Sequence, residues 1–549
     1  MRVTLALLVA AIAACGPGAR NRPDAANGGG GDASCANTCS PDLRDVLDCQ
    51  GNVVTACAAS DQCDTTSVVC ENACAAADAN HRSVGCDYYA TYMDSEINSY
   101  CFAVFVANTW TQPAHVTVEY GGQTLTPATF TRLPSGAGPT LTLQPYDPVA
   151  GIAPNDVAIL FLGGSQGAAP ACPVPSAVTS PSITGTGLSQ SFHVTTDVPV
   201  VAYEINPYGG GSAAVTGASL LIPTSAWDTS YVAVNVSPSD IGFDPSLNIV
   251  ASRDGTQVTL NPVAAVTGNA GVPSGAANQP MTITLNKGQN AQITQPAELT
   301  GSSITSNFPI GFMAGQPCMR WPTGTTYCDH GEQMVPPVHA LGNEYVGVGY
   351  RPRVASETQY WYRLIGAVDG TQLVYSAAVG GPATLNKGQS VTFLTGTPFT
   401  VASQDTDHPF MMFTYMSSSG AASDGYGDPD FVLDVPPQQF LSSYVFFADP
   451  TYPETNLVVV RAPDMGGNFH EVVLDCFGPL TGWTTVGNYQ WARADLMTGD
   501  FHGVGNCSTG RHEIHSDAPF GLQVWGWGTP QTSTFTANVS YGYPGGMNV

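Results

Sequence analysis

Val194-Thr-Thr-Asp-Val-Pro199-Val-Val-Ala-Tyr203 decides the fold, because the chain repeats it three more times. Its counterparts are Ile304-Thr-Ser-Asn-Phe-Pro309-Ile-Gly-Phe-Met313, Val401 to Pro409-Phe-Met-Met-Phe413, and Ile514-His-Ser-Asp-Ala-Pro519-Phe-Gly-Leu-Gln523. The four prolines are 110, 100 and 110 residues apart. Self-similarity at a near-fixed period signals a repeat architecture. Proline ahead of an apolar alternating run predicts the first residue of a strand, where the missing N–H costs no ladder hydrogen bond.

Two further signals share that period. Asp254-Gly-Thr-Gln-Val258 is echoed by Asp369-Gly-Thr-Gln-Leu373, and Leu285-Asn-Lys-Gly-Gln289 by Leu385-Asn-Lys-Gly-Gln389. Lys287 and Lys387, the chain's two lysines, thus share one hairpin position, which reads as a turn tip ahead of a paired binding contact. A linking phrase opens each later unit: Pro223 to Trp227 before Tyr231, Pro336-Pro337 to Leu341 before Tyr345, and Pro436-Pro437 to Leu441 before Tyr444. In the second unit alternation predicts strands at 231–236, 247–252, 256–261, 281–286, 291–296, 302–306 and 309–314. Seven short strands in such a unit predict an all-β protein of tandem immunoglobulin-like β-sandwich repeats. The alternative is a β-propeller, whose blades take four strands in about 40–50 residues.

Among 549 residues, 16 are basic and 42 acidic, a net charge of −26. That balance and the lack of any basic run exclude a nucleic-acid partner, which needs clustered Lys and Arg. Hydrophobic residues make up 43%, so the chain folds despite its charge. The N-terminus carries Arg2, the apolar run Val3–Ala14, and then Ile12-Ala-Ala-Cys15. This resembles the lipobox of bacterial lipoproteins, which implies a signal peptide over 1–14, lipidation of Cys15 and attachment to the membrane through that anchor alone. Residues 15–34 then read as a flexible tether.

Fourteen cysteines remain, and an exported chain favours disulfides over zinc for them. Cys35, Cys39, Cys49, Cys57, Cys63, Cys70, Cys74 and Cys86 crowd into a module over 35–86 too small for a large apolar core. Cys101 with Cys172, Cys318 with Cys328, and Cys476 with Cys507 read as local pairs. The repeats are expected at 87–222, 223–335, 336–435 and 436–549.

No catalytic constellation emerges. Gly163-Gly-Ser165-Gln-Gly167 matches G-x-S-x-G, but Pro170 and Pro173 leave no room for the helix a nucleophile elbow needs. His512 and His515 would point to opposite faces of a strand. Asp329-His330-Gly-Glu332 reads as a loop beside Cys328. The best cation candidate is Asp424-Gly-Tyr-Gly-Asp428-Pro-Asp430, three carboxylates spaced so that they could gather oxygens for calcium, although the segment reads first as a solvated loop. Trp525 and Trp527 alternate onto one face and read as core ahead of a sugar-stacking platform.

These repeats resemble the IgGFc-binding protein N-terminal region family in its bacterial lipoprotein form. The likeness is carried by Pro199-Val-Val-Ala-Tyr-Glu-Ile-Asn-Pro-Tyr208, Ile222-Pro-Thr-Ser-Ala-Trp227, Glu332-Gln-Met-Val-Pro-Pro337, and Gly427-Asp-Pro with Val435-Pro-Pro437. The resemblance covers roughly 86–530 and implies a non-enzymatic, surface-displayed binding or adhesion protein in the bacterial envelope. Its location is then the outer membrane or cell surface, and its partner an extracellular protein or glycan. The alternatives are a secreted polysaccharide-acting hydrolase and a purely structural envelope spacer.

Overall fold

The structure is a computed structural model that describes residues 36–549 except 41, 97, 169–170, 210–214, 423–424 and 533–537. Cys15, the signal peptide and the tether lie outside the described residues, as do Cys35 and Asp424.

The cysteine-dense module opens with a small sheet of Thr38–Cys39, Asp45–Leu47 and Val53–Ala56, and a hairpin of Asp61–Asp64 with Val69–Asn72. The helix Ala73–Asn80 follows, and the Asn72 side chain caps it by accepting from the Cys74 and Ala75 N–H groups. Few apolar side chains are buried here, chiefly Leu43, Val46 and small alanines. The bridges Cys39–Cys63, Cys57–Cys70 and Cys74–Cys86 hold the module together. Cys49 is disulfide-bonded as well. Bonded sulfurs leave no thiolates for zinc.

From Gly85 onward the chain is mainly β, broken only by short helical turns such as Pro127–Phe130 and Ser419–Ala422, in four related units. The second unit shows the arrangement clearly. Ser303–Met319 is one long strand running through Pro309. Its first part pairs with Asp228–Val232 and Thr256–Asn261, and the latter pairs with Met281–Leu285. Its second part pairs with Ser246–Ala251, which pairs with Gln289–Thr294, and with the closing strand Asp329–Met334. This unit is therefore two sheets sharing one strand. The expected strands at 302–306 and 309–314 are a single element, because Pro309 sits where the strand leaves one sheet for the other, a position at which no ladder hydrogen bond requires the N–H that proline lacks. The long strands Phe192–Asn206 and Gly510–Trp527 do the same around Pro199 and Pro519, whereas the third unit breaks into Phe399–Ser403 and Phe410–Met416.

Sheets do not respect the expected boundaries everywhere. Gly85–Ala90 straddles the edge of the cysteine module and pairs with the first long strand. Gly187–Gln190 lies within 87–222 yet pairs with Gln289–Thr294 of the second unit. The local bridges Cys101–Cys172, Cys318–Cys328 and Cys476–Cys507 each tie segments of one unit.

Four closing strands meet in a cycle: Gly217–Leu220 lies beside Asp329–Met334, which lies beside Asp430–Leu433, then Ser540–Pro544, which returns to Gly217–Leu220. Close approach demands small residues there. A Cβ on Gly217 would lie 2.1 Å from the His330 carbonyl oxygen, and one on Gly542 would lie 2.6 Å from Val432 Cγ2. Aromatic packing seals the contact of the first unit with the fourth: Phe105 stacks on Phe447 and Tyr203 packs tilted against Tyr543, each pair at 4.4 Å between centroids. The units thus close on themselves, as propeller blades do, while each keeps the two-sheet build of a sandwich.

Candidate functional site

The closing strands bring together residues that are far apart in the chain. Asp329 accepts from the Thr216 N–H at 3.1 Å and from the Ser540 N–H at 2.8 Å, so one carboxylate joins three units. Gln333 donates to the carbonyls of Ala218 and Gly542, each at 2.9 Å. Asp428 accepts from the Ser419 N–H, and its own N–H donates to Ser540 Oγ. Asp329-His330-Gly-Glu332 is therefore a buried strand and not the loop expected beside Cys328, and Asp428 and Asp430 are buried rather than solvated. Asp424 lies outside the described residues.

Several acidic groups here are fully sealed. Glu204, Asp329, Glu332 and Asp430 have no exposed surface. Burial pushes all four carboxyl groups, and that of Asp428, well above the ordinary range; Glu332 raises Glu204 and Asp430 further, and Asp428 raises Asp329. Burial also pulls His330 down to about 4, so its imidazole is neutral at pH 7. Both Glu332 oxygens and Asp430 Oδ2 accept no hydrogen bond, although His330 Nε2 stands 3.4 Å from Glu332 Oε2.

A buried carboxyl without donors is satisfied by taking a proton or by meeting a cation. In this sealed group Glu332, Asp430 and, through Oε1, Glu204 have oxygens without a hydrogen-bond donor. However, among the described residues the one trio of potential ligands grouped within 4.8 Å is Asp475, Cys476 and His512, elsewhere in the fourth unit. Cys476 Sγ is bonded to Cys507 there, and His512 is held by Asp475 Oδ1 and the Ser508 carbonyl. Among the described residues, no three carboxyl groups at the centre converge within 4.8 Å of one another.

Other expected features are structural. Ser165 follows strand Val157–Gly163 in a turn, its Oγ accepting from the Gly167 N–H. Trp525 and Trp527 are buried beside Tyr350. In the repeated hairpins it is the backbone that is held: the N–H of Lys287 donates to Asp254 and that of Lys387 to Asp369, both at 2.9 Å.

An open cleft of about 440 Å³ lies where the cysteine module meets the first and fourth units. Its lining includes Arg44, Arg82, Trp110 and Arg511, with Asp42 and Glu513. Arg44 precedes strand Asp45–Leu47 and lies 3.2 Å above the Trp110 ring, while Trp110 Nε1 donates to the Ala59 carbonyl. Arg82 follows helix Ala73–Asn80, and Arg511 stands on the last long strand. Sequence reading missed this cleft because its arginines lie singly in three segments and form no basic run.

A family model described as IgGFc binding protein matches residues 217–526. The chain belongs to the IgGFc-binding protein family. A human IgGFc-binding protein is 27% identical over 177 residues, which is 32% of this chain and 3% of the human protein. The chain therefore spans a very small part of the length of that curated relative. The family match runs from the closing strand of the first unit into the last long strand, so it takes in the second and third units and most of the fourth. The cysteine module, with the Arg44 and Arg82 side of the cleft, lies outside the IgGFc-binding protein match.

Proposed function

We propose that the chain is a non-enzymatic binding or adhesion protein, lipid-anchored through Cys15 and displayed on the bacterial surface, whose partner is an extracellular protein. Membership of the IgGFc-binding protein family supports a binding role. The observation that carries the reading is the division between chemistry and access. The strongly perturbed carboxyl groups are sealed at the centre, with Glu204, Glu332 and Asp430 at 0% exposure, beyond the reach of any substrate. The open cleft instead offers arginines, which suit recognition of a surface.

A hydrolase acting on polysaccharide needs two carboxyl groups flanking the scissile bond. In the cleft, Glu513 pairs with Arg511 at 3.2 Å and Asp42 Oδ1 accepts from the Arg44 backbone N–H at 3.2 Å, an arrangement suited to holding the arginines in place. Incubation of the full chain with extracellular proteins, glycans and envelope polysaccharides separates the readings. Saturable binding to a protein without release of reducing sugar is the expected result. Release of reducing ends would favour the hydrolase, and binding to nothing would favour the spacer. Incorporation of labelled palmitate, abolished by Cys15→Ala, is the expected sign of the anchor.

A further inference from the structure

We propose that the cleft formed by Arg44, Arg82 and Arg511 takes a carboxylate-bearing segment of an acidic protein partner, an assignment that rests on the proposed binding function and gives it a place. The chain has fourteen arginines and a net charge of −26, so three guanidinium groups around one cavity stand out against the rest of the surface. Elsewhere Arg320, Arg351, Arg353 and Arg363 are each matched by a carboxylate of the chain itself, while Arg132, Arg461 and Arg493 bond carbonyl or amide oxygens and Arg253 lies over the Phe308 ring. The cleft is matched incompletely. Among the described residues, Arg82 has no hydrogen bond or ion pair from its guanidinium. Arg511 gives one donor to Glu513 at 3.2 Å, and its buried Nε has no acceptor.

A guanidinium carries five donors in a planar fork and does not lose its charge in a protein. Burying it without an acceptor is costly, and burial depresses the pKa of both Arg44 and Arg82 from their ordinary value. A carboxylate from outside fits the fork with two parallel N–H···O bonds. Arg44 is fixed between Trp110 and the Thr109 carbonyl, so one wall of the cleft is ordered before any ligand arrives.

The cavity volume lies within the range of small-ligand sites, enough for the side chains of a short segment. The ligand class follows from what the lining lacks. Its aromatic side chain, Trp110, is 4% exposed and covered by Arg44, so no open ring face is offered for sugar stacking. Nucleic acid needs a continuous basic track, and here Asp42 and Glu513 interrupt the arginines.

The test is fluorescence anisotropy of a labelled hexaglutamate peptide with the full chain, its Arg82→Gln and Arg511→Gln variants and their double. Arg132→Gln, on strand Thr131–Ser135 and outside the cleft lining, serves as control, and thermal melting checks folding. The expected result is saturable binding, weakened by about tenfold or more in the double variant and unchanged in the control. Arg82→Lys keeps the charge without the fork and is expected to bind more weakly than the wild type. Equal binding by a folded double variant would overturn the assignment, as would failure of the peptide to bind at millimolar concentration. Arginine-dependent binding of a sulfated disaccharide in place of the peptide would also overturn it. If the double variant still captures an extracellular protein, the function stands and this location fails. If the wild type captures none while the peptide binds through the arginines, the function fails and the site stands.

Discussion

The Tyr231 hydroxyl donates a 2.7 Å hydrogen bond to the carbonyl of Ile310, the residue after Pro309. The same bond recurs in every unit. Tyr88 donates to Val200, Tyr345 to Phe410 and Tyr444 to Phe520, each the residue that follows a repeated proline. In the later three units the phenol oxygen also accepts a backbone N–H just upstream: Asp228, Gly342 and Leu441. Where the long strand changes sheets its ladder is interrupted, and the tyrosine supplies the missing donor.

Removal of one such hydroxyl leaves a buried carbonyl and a buried N–H unsatisfied. Tyr231→Phe is expected to cost about 1–3 kcal/mol. Tyr345→Phe is expected to behave alike, and urea unfolding of the full chain measures both. A loss indistinguishable from zero in both would mean that the repeated bond has no structural weight.

Much of this frame was legible in the sequence. The proline period marks the sheet crossing, the tyrosines sit at fixed offsets after each linking phrase, and Asp254 and Asp369 mark hairpins with matching hydrogen bonds. Other parts were not. Pro309 reads as a strand start, because sequence does not reveal that a strand continues through a residue without an N–H. Gly217–Leu220 and Asp430–Leu433 are buried on both faces and show no alternation. The meeting of Glu332 with Asp430 depends on the closing strands of the second and third units packing side by side, which no local pattern encodes. Tyr88 escaped notice because no proline-rich link precedes it.

The hairpin lysines provide a contrast between backbone and side chain. Asp254 accepts from the Lys287 N–H and Asp369 from the Lys387 N–H, whereas Lys287 Nζ reaches Glu119 only at 3.6 Å on the surface. Lys387→Ala is expected to change stability by less than about 0.5 kcal/mol. Asp369→Ala is expected to cost about 1 kcal/mol through the lost turn bond. Chemical denaturation of the two variants side by side reads the difference.

Stability should depend on pH through Asp434. Burial raises its carboxyl to about 7, although Thr414 and Gln523 donate to it. Since the folded pKa lies above the unfolded value, the contribution is fully present below about 4 and is lost as pH rises through about 7. Asp449, raised by burial to about 6, acts in the same direction over a lower window. The melting temperature is expected to fall between pH 5 and pH 8, and Asp434→Asn should flatten part of that fall. An unchanged slope in the variant would contradict the assignment.

At the centre, protons rather than calcium are expected to satisfy Glu332 and Asp430. Glu332→Gln should then raise the melting temperature at pH 8, because a neutral isostere no longer needs a proton there. Millimolar calcium or EDTA should leave it unmoved. A lower melting temperature in Glu332→Gln, together with stabilisation by calcium, would instead identify a bound cation.

The most direct test of the binding function is capture by the immobilised full chain from a panel of purified extracellular proteins and glycans, with reducing sugar assayed in the same wells. Saturable capture of a protein without release of sugar is the predicted result. Capture of nothing, or turnover of a polysaccharide, would contradict it.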